Sequence, residues 1–160
     1  PWELLFFCLW HGSFANYGPI PPKVGEETTY TVVFSVGNTQ GDMADARVSA
    51  RLGPSVNWLG ASSVESEEIS YDASSNTVTW NLGALSSGLG FSSAAREISF
   101  QIALTPSIGQ IGAAPNLVNS VIFSGRDTIS GDATTLTNPP LTTRLMSDPA
   151  FIQGDDIVVK

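Results

Sequence analysis

Strict alternation of apolar and polar residues is the feature that most constrains the fold of this chain. It is clearest over residues 77–82, where Val78, Trp80 and Leu82 are separated by polar neighbours. Successive side chains of a β-strand point to opposite faces, so this period of two predicts a half-buried strand with Trp80 as its large apolar anchor. The preceding stretch, 72–76, has the Asp, Ser and Asn residues of a turn and predicts a hairpin with the strand before it.

The same alternation recurs along the rest of the sequence. No helical periodicity longer than two turns interrupts it, and stretches rich in Gly, Pro and Ser separate the alternating segments. The predicted strands cover residues 26–36, 44–52, 56–59, 69–71, 77–85, 96–105, 117–124 and 134–145. About eight strands with turn signals every 8–12 residues are typical of a β-sandwich. Pro139 and Pro140 place the last segment at an edge or at a crossing between sheets, because proline cannot donate to a ladder.

The most apolar run of the chain is residues 4–10. It is too short to span a bilayer, which takes about 20 residues. A short continuous apolar run favours a strand that is buried within the domain or between subunits. The alternative is the remnant of a signal peptide, with residues 13–15 as a cleavage site of small residues, although no basic residue precedes the run.

The Pro-rich segment 18–22 suggests a border between parts of the chain. We expect an apolar N-terminal strand or extension over residues 1–20, a sandwich over 21–145, and a C-terminal extension or linker to a following domain over 146–160. The sequence starts without methionine and ends in the strand-like 157–160. Both features suggest a fragment of a longer protein.

Charge limits the classes of partner. The chain has 15 acidic residues against 7 lysines and arginines, for a net charge of −8. Such a chain repels a phosphate backbone, which excludes nucleic acid, and it disfavours an anionic membrane surface. An acidic chain with two lysines fits a secreted or cell-surface module. Its single cysteine rules out an intrachain disulfide but does not decide the compartment.

Residues for nucleophilic catalysis are scarce. His11 is the only histidine, and Cys8 lies in an apolar run that raises the pKa of a thiol and keeps it inert. Together they are too few for a zinc site. The acidic cluster of Glu65, Glu67 and Glu68 is predicted to face water on a strand edge, as charge runs usually do. We therefore predict that the protein is not an enzyme and has no catalytic residues.

Calcium binding is the remaining metal chemistry to weigh, because loop carboxylates supply the hard oxygen ligands that calcium prefers. The acids in predicted loops or near the C-terminus are Asp42, Asp45, Asp127, Asp132, Asp155 and Asp156. None of them has the D-x-D-x-D-G spacing of a dedicated calcium loop. We predict no metal site and no cofactor.

Four tryptophans raise the possibility of a sugar-stacking platform. Alternation assigns Trp80 to the core, and the apolar run claims Trp10, with Trp2 just before that run. Trp58 remains available for an exposed face. A carbohydrate- or ligand-binding sandwich is therefore the alternative function.

Two segments together resemble the immunoglobulin-like repeat domains of bacterial cell-surface proteins, a conserved-repeat type whose individual functions are unknown. The first is G-E-E-T-T-Y-T-V over residues 25–32, and the second is N-T-V-T-W-N-L-G-A-L over 76–85. A late G-R-D element at 125–127 adds to the match, which spans about residues 21–143. The resemblance implies an immunoglobulin-like antiparallel β-sandwich that serves as a stalk, spacer or adhesion module, without catalytic residues.

The residues and the resemblance together predict a non-enzymatic structural, assembly or adhesion module of an exported bacterial surface or filament protein. We expect it at the extracellular cell surface, with neighbouring domains or subunits as partners and with homo-oligomers as one form of assembly. Strand addition through residues 4–10 is the expected way of joining neighbours.

Overall fold

A computed structural model describes residues 2–38 and 41–160, so that Pro1, at the start of the expected N-terminal extension, lies outside the described residues, as does the pair 39–40. The described residues form ten β-strands and one turn of 3₁₀ helix, Ile108–Gln110, which confirms the predicted all-β class. None of these residues belongs to a helix long and apolar enough to cross a membrane. The strands are β1 (Trp2–Leu9), β2 (Thr28–Asn38), β3 (Met43–Leu52), β4 (Val56–Ser62), β5 (Glu68–Asp72), β6 (Thr77–Leu85), β7 (Arg96–Leu104), β8 (Asn116–Asp127), β9 (Ala133–Asn138) and β10 (Leu141–Thr142).

Two antiparallel sheets make up the sandwich. The front sheet has the order β1-β2-β7-β4, and the back sheet has the order β10-β8-β3-β6-β5, with β9 also paired to β8. This arrangement confirms the predicted immunoglobulin-like sandwich. We call the end where β2 begins the lower end and the end where β2 finishes the upper end. Residue 2 pairs with Asn38 at the upper end, whereas the C-terminal Val159 pairs with Lys23 at the lower end.

Large apolar side chains from both sheets fill the core. Phe34 of β2 packs edge to face against Phe6 of β1, with ring centroids 5.0 Å apart, and against Phe100 of β7 at 5.2 Å. Trp80 of β6 and Phe123 of β8 approach from the back sheet and are fully buried. The predicted role of Trp80 as the anchor of its strand is confirmed.

The outer face of β2 is buried as well, because residues 10–18 cross it after leaving β1. The Thr29 hydroxyl accepts a hydrogen bond from the Tyr17 backbone N–H at 2.8 Å, and the Thr31 hydroxyl accepts one from the Asn16 side chain at 3.0 Å. Both threonines are fully buried. Threonine suits this position, since it has β-propensity and also a hydroxyl that satisfies the crossing backbone.

Three local predictions need correction. Alternation along the predicted strand 44–52 places Ala44 on the inward face with Ala46, Val48, Ala50 and Leu52, but β3 bulges there, with Asp45 at φ 54°, and Ala44 is only half-buried. The segment 134–145 is two strands, because the proline pair separates β9 from β10, although both lie at the edge of the back sheet as predicted. Residues 157–160 form a single parallel bridge to Lys23 instead of a strand.

Contacts run across both of the domain borders expected at residues 20 and 145. β1 pairs with β2 over its whole length, from Trp2↔Asn38 to Leu9↔Thr31. At the other border, the Val159 N–H donates to the Pro22 carbonyl at 2.9 Å. The terminal segments thus pack against the sandwich. The division into three parts remains a prediction about domain organisation.

Candidate functional site

Free sheet edges are the places where a sandwich can pair with another chain, and natural proteins usually protect them. β4, at one edge of the front sheet, loses its register between Trp58 and Ser62, and Gly60 lies in this bulge at φ 80°. β5, at one edge of the back sheet, is five residues long and carries the exposed acids Glu68 and Asp72. Both edges have devices that oppose pairing.

The other edge of the back sheet is interrupted by the proline pair between β9 and β10. β1 differs from these three strands. Its eight residues pair with β2 without a register shift, it contains no proline, and Glu3 is its only charged residue. Among the described strands, β1 is the least protected edge.

The lower half of β1 lies near the segment 140–147. Phe6, Phe7 and Cys8 line a cavity of about 170 Å³ together with residues of the segment 140–147. In the upper half, the Leu5 side chain is 58% exposed. We call residues 2–5 the upper β1 edge.

Directly below β1, a buried carboxylate ties the strand to the C-terminal segment. Asp148 Oδ2 accepts hydrogen bonds from the backbone N–H groups of Trp10 at 2.8 Å and His11 at 2.9 Å, while Oδ1 accepts one from Ala150 at 2.9 Å. The Asp148 side chain is 1% exposed, and His11 Nδ1 lies 3.4 Å from Oδ2. We call this arrangement the Asp148 clamp.

The clamp also sets the ionisation of its carboxyl. Burial is the largest single influence and raises the pKa of Asp148, but the N–H groups of His11, Ala150 and Trp10 outweigh it, so that the pKa is lowered. The carboxylate is therefore charged at neutral pH. It joins two segments 138 residues apart in the sequence.

The sequence candidates Cys8 and His11 do not form a catalytic pair. Cys8 is buried, and burial raises its pKa to about 12, in line with the apolar run around it. His11 is exposed in the loop after β1, and its recorded polar contacts are with Asp148. In the described part of the chain, no hydrogen bond joins the Cys8 thiol to a nitrogen base.

The prediction that Glu67 faces water as part of an acidic run is wrong. Glu67 Oε2 accepts a hydrogen bond from Trp80 Nε1 at 2.8 Å and an ion pair from Arg96 Nη2 at 2.7 Å. Arg96 Nη1 donates further to the Leu82 carbonyl at 2.6 Å. The glutamate thus satisfies the indole of the core tryptophan, while its neighbours Glu65 and Glu68 are exposed as expected.

Replacing Glu67 with alanine is expected to lower the free energy of unfolding by about 1–3 kcal/mol, because it leaves the Trp80 N–H and the Arg96 guanidinium without this partner. Urea unfolding of both proteins measures the difference. Glu65→Ala is the matched control, since the residue is exposed two positions away, and should change stability by less than about 0.5 kcal/mol. Equal effects of the two substitutions would contradict the assigned role of Glu67.

The loop acids are used locally. Asp42 Oδ1 accepts the Ser87 N–H at 2.8 Å, and Asp127 Oδ1 accepts the N–H groups of Ser130 and Ile129, which lower the pKa of Asp127. Over residues 2–38 and 41–160, no three side chains of His, Cys, Asp or Glu come close enough together to hold a metal ion.

Trp58 does not present a free sugar-stacking face. The side chain is half-buried and packs against the core, with its ring 5.3 Å from that of Tyr71. Its indole N–H is buried and has no partner among the described residues. The flat exposed tryptophan that the alternative function needs is therefore lacking at this position.

The sequence does not predict the roles of two important residues, Asp148 and Glu67. It gives no sign that Asp148 is buried, and it predicts that Glu67 faces solvent. Each acts through a partner far away in sequence, which local patterns do not reveal. The Asp-Pro pair at 148–149 signals a turn and was the only trace of the clamp in the sequence.

No family model matches the sequence. Among the curated proteins there is no match either. Solved structures do match the fold: a variant of the major pilin subunit BcpA of Bacillus cereus has a TM-score of 0.52 and 10% identity over 89% of this chain. The full-length major pilin SpaD of Corynebacterium diphtheriae has a TM-score of 0.53 and 9% identity over 88% of this chain. At these identities the likeness is one of fold.

The chain spans only part of these pilins, 40% of the first and 35% of the second. A glycoside hydrolase, the exo-β-N-acetylglucosaminidase of Vibrio harveyi, also matches, with a TM-score of 0.45 and 9% identity over 87% of this chain and 18% of its own. That similarity is too distant to carry an argument about activity.

Proposed function

We propose that this protein is a non-enzymatic structural and assembly module of an exported bacterial surface filament, located outside the cell. The observation that carries the proposal is the upper β1 edge, the least protected edge among the described strands, with one charged residue, Glu3, and with Leu5 exposed, on a sandwich of the fold found in two major pilins. A subunit that must join others needs at least one surface left open for pairing.

Strand addition is the proposed mode of joining. An extended strand from a neighbouring subunit pairs with the free side of β1 and continues the front sheet into the next molecule. Backbone hydrogen bonds supply the affinity, while the exposed Leu5 side chain supplies apolar contact. The sequence predicts strand addition through residues 4–10, and the proposal instead places the pairing at residues 2–5, with β1 as the acceptor edge.

The positions of residue 2 and Val159 at opposite ends of the sandwich suit a load-bearing role. Residue 2 lies at the upper end and Val159 at the lower end, so tension between them pulls along the strand direction. The eight residue pairs between β1 and β2 then share the load in shear. The Asp148 clamp adds a direct connection from the end of β1 to the C-terminal segment.

The carbohydrate-binding alternative has weaker support, because Trp58 packs against Tyr71 and the core. A glycan-array screen with Trp58→Ala as the control is its test. Binding of any glycan that depends on Trp58 would revive it.

A lysine at the upper β1 edge is expected to prevent self-association. The wild-type protein should form larger species as its concentration rises, and Leu5→Lys should remain a monomer, because a charge on an edge strand opposes pairing. Sedimentation velocity at several concentrations measures this. Leu5 is 58% exposed, so the substitution should leave the fold intact.

Ile122→Lys is the matched control. Ile122 is also an exposed apolar residue, 38% exposed, but it lies on β8, which is flanked by β3 and β9 and has no free edge there. This variant should associate as the wild type does. A wild-type protein that is monomeric at every concentration, or a Leu5→Lys variant that associates normally, would overturn the edge-pairing mechanism.

A further inference from the structure

A cavity of about 230 Å³ opens at the lower end of the sandwich, beside the Asp148 clamp. Its walls are mostly apolar and come from both termini of the chain: Trp10 and Ile20 from the N-terminal part, Leu145 and Phe151 from the C-terminal part. Two of these four side chains are aromatic. The cavity has room for one medium-sized side chain and is a different surface from the upper β1 edge.

Three charged or titratable side chains also line the cavity, but they differ in what they offer a ligand. The oxygens of Asp148 already accept backbone N–H groups, and His11 lies against that carboxylate. Asp155 accepts the Ile152 N–H through Oδ2 at 3.1 Å, and no hydrogen bond to its other oxygen occurs among the described residues. One carboxylate oxygen is therefore open in an aromatic-lined cavity without a lysine or arginine in its lining.

From this combination we propose that the cavity binds the side chain of a lysine presented by a different protein. The aliphatic stem of the lysine packs between Trp10 and Phe151, and its ammonium group reaches the open oxygen of Asp155. A long cationic side chain buries its methylene groups while its charged head finds a carboxylate, and aromatic faces add cation–π attraction. The net charge of −8 favours a basic partner in the same sense.

Tyr30, a buried core residue beside Trp10, also lies close enough to Asp155 to sense its charge. The Tyr30 hydroxyl, which is packed near Trp10 with ring centroids 6.3 Å apart, has no hydrogen-bond partner in the described part of the chain. Burial raises the pKa of Tyr30, and the nearby Cys8 and Asp155 raise it further. The negative charge of Asp155 thus acts on the buried Tyr30 hydroxyl, and a bound ammonium group would offset that charge.

Copies of the described residues stacked end to end do not supply the lysine. Both of its lysines, Lys23 and Lys160, lie at the lower end, the same end as the cavity, and Lys23 already pairs with Glu26 at 3.8 Å. Copies of the described residues arranged end to end therefore bring an upper end without lysine to this cavity. A basic segment of another protein is the partner whose chemistry fits.

The test uses Nα-acetyl-lysine methylamide as the probe, titrated into the ¹⁵N-labelled protein while amide and indole signals are followed by NMR. We expect saturable shifts at the Trp10 indole and at residues 148–155, with a dissociation constant of about 1 mM. The norleucine analogue has a similar stem without the charge and should bind about tenfold more weakly, which corresponds to about 1.4 kcal/mol.

Asp155→Asn provides the matched variant, because its carbonyl oxygen still accepts the Ile152 N–H and should keep the loop folded. It should lose the preference for lysine over norleucine while its unfolding temperature without ligand stays that of the wild type. Equal binding of lysine and norleucine by the wild type, or no saturable shift with lysine, would overturn the proposal. So would an undiminished lysine preference in Asp155→Asn. None of these outcomes bears on pairing at the upper β1 edge, which Leu5→Lys tests separately.

Discussion

Trp80→Ala is expected to lower the free energy of unfolding by about 3–5 kcal/mol, the range for deleting a large buried aromatic side chain. Trp80 is fully buried between the sheets, so the substitution removes its contacts and leaves a cavity. It also removes the Trp80 N–H that donates to Glu67, so that among the described residues the Glu67 carboxylate keeps Arg96 as its partner. Urea unfolding followed by far-UV circular dichroism measures the change without relying on tryptophan fluorescence.

Two further variants separate the causes. Phe91→Ala is the control for losing an aromatic side chain, because Phe91 is 87% exposed and should change stability by less than about 0.5 kcal/mol. Trp80→Phe keeps most of the apolar volume and loses the indole N–H. Combined with Glu67→Ala in a double-mutant cycle, it isolates the coupling between the two side chains. A Trp80→Ala variant as stable as the wild type would refute the assigned role of Trp80 as the core anchor.

The strands of this protein are readable from the sequence because the signal for a strand is local. The alternation around Trp80 depends only on which face of β6 is buried, and this prediction agrees with the structure. β2 is also a strand as predicted, although residues 10–18 bury its outer face as well. The bulge at Asp45 was missed, since a bulge depends on how two neighbouring strands twist against each other. Alternation within one strand contains no such information.

The features of the candidate sites were less readable for a related reason. Glu67 resembles its exposed neighbour Glu65 in the sequence and differs only because Trp80 and Arg96 approach it from other strands. Asp148 becomes buried only when the C-terminal segment meets the end of β1. Carboxylates gain such roles from long-range packing, so one sequence by itself does not distinguish them from solvated acids.

The Asp148 clamp and the proposed lysine-binding cavity lie side by side at the lower end of the sandwich. The Asp148 clamp holds the end of β1 against the segment that supplies Leu145 and Phe151 to the cavity. Loosening the clamp should therefore affect the cavity as well as the strand. The upper β1 edge lies at the opposite end of the same strand, so the two proposed partners would not compete for one surface.

Asp148→Ala is expected to lower the free energy of unfolding by about 3 kcal/mol, because it leaves three backbone N–H groups, those of Trp10, His11 and Ala150, without their acceptor. Asp72→Ala is the control: Asp72 also accepts a backbone N–H, from Ser74, but in an exposed turn where water replaces the lost acceptor. It should therefore cost far less. A loss no greater than that of Asp72→Ala would mean that the clamp contributes nothing beyond a turn.

The contribution of the clamp should also depend on pH, in a direction that follows from its ionisation. The pKa of Asp148 is lowered in the folded protein, so the stabilisation is complete above the unfolded value of about 3.9 and is lost as the pH falls through the folded value. Asp148→Ala lacks this carboxyl. The difference in the free energy of unfolding between wild type and variant should therefore be full at neutral pH and shrink below about pH 4. An unchanged difference across this range would show that the charge of Asp148 does not hold β1 to the C-terminal segment.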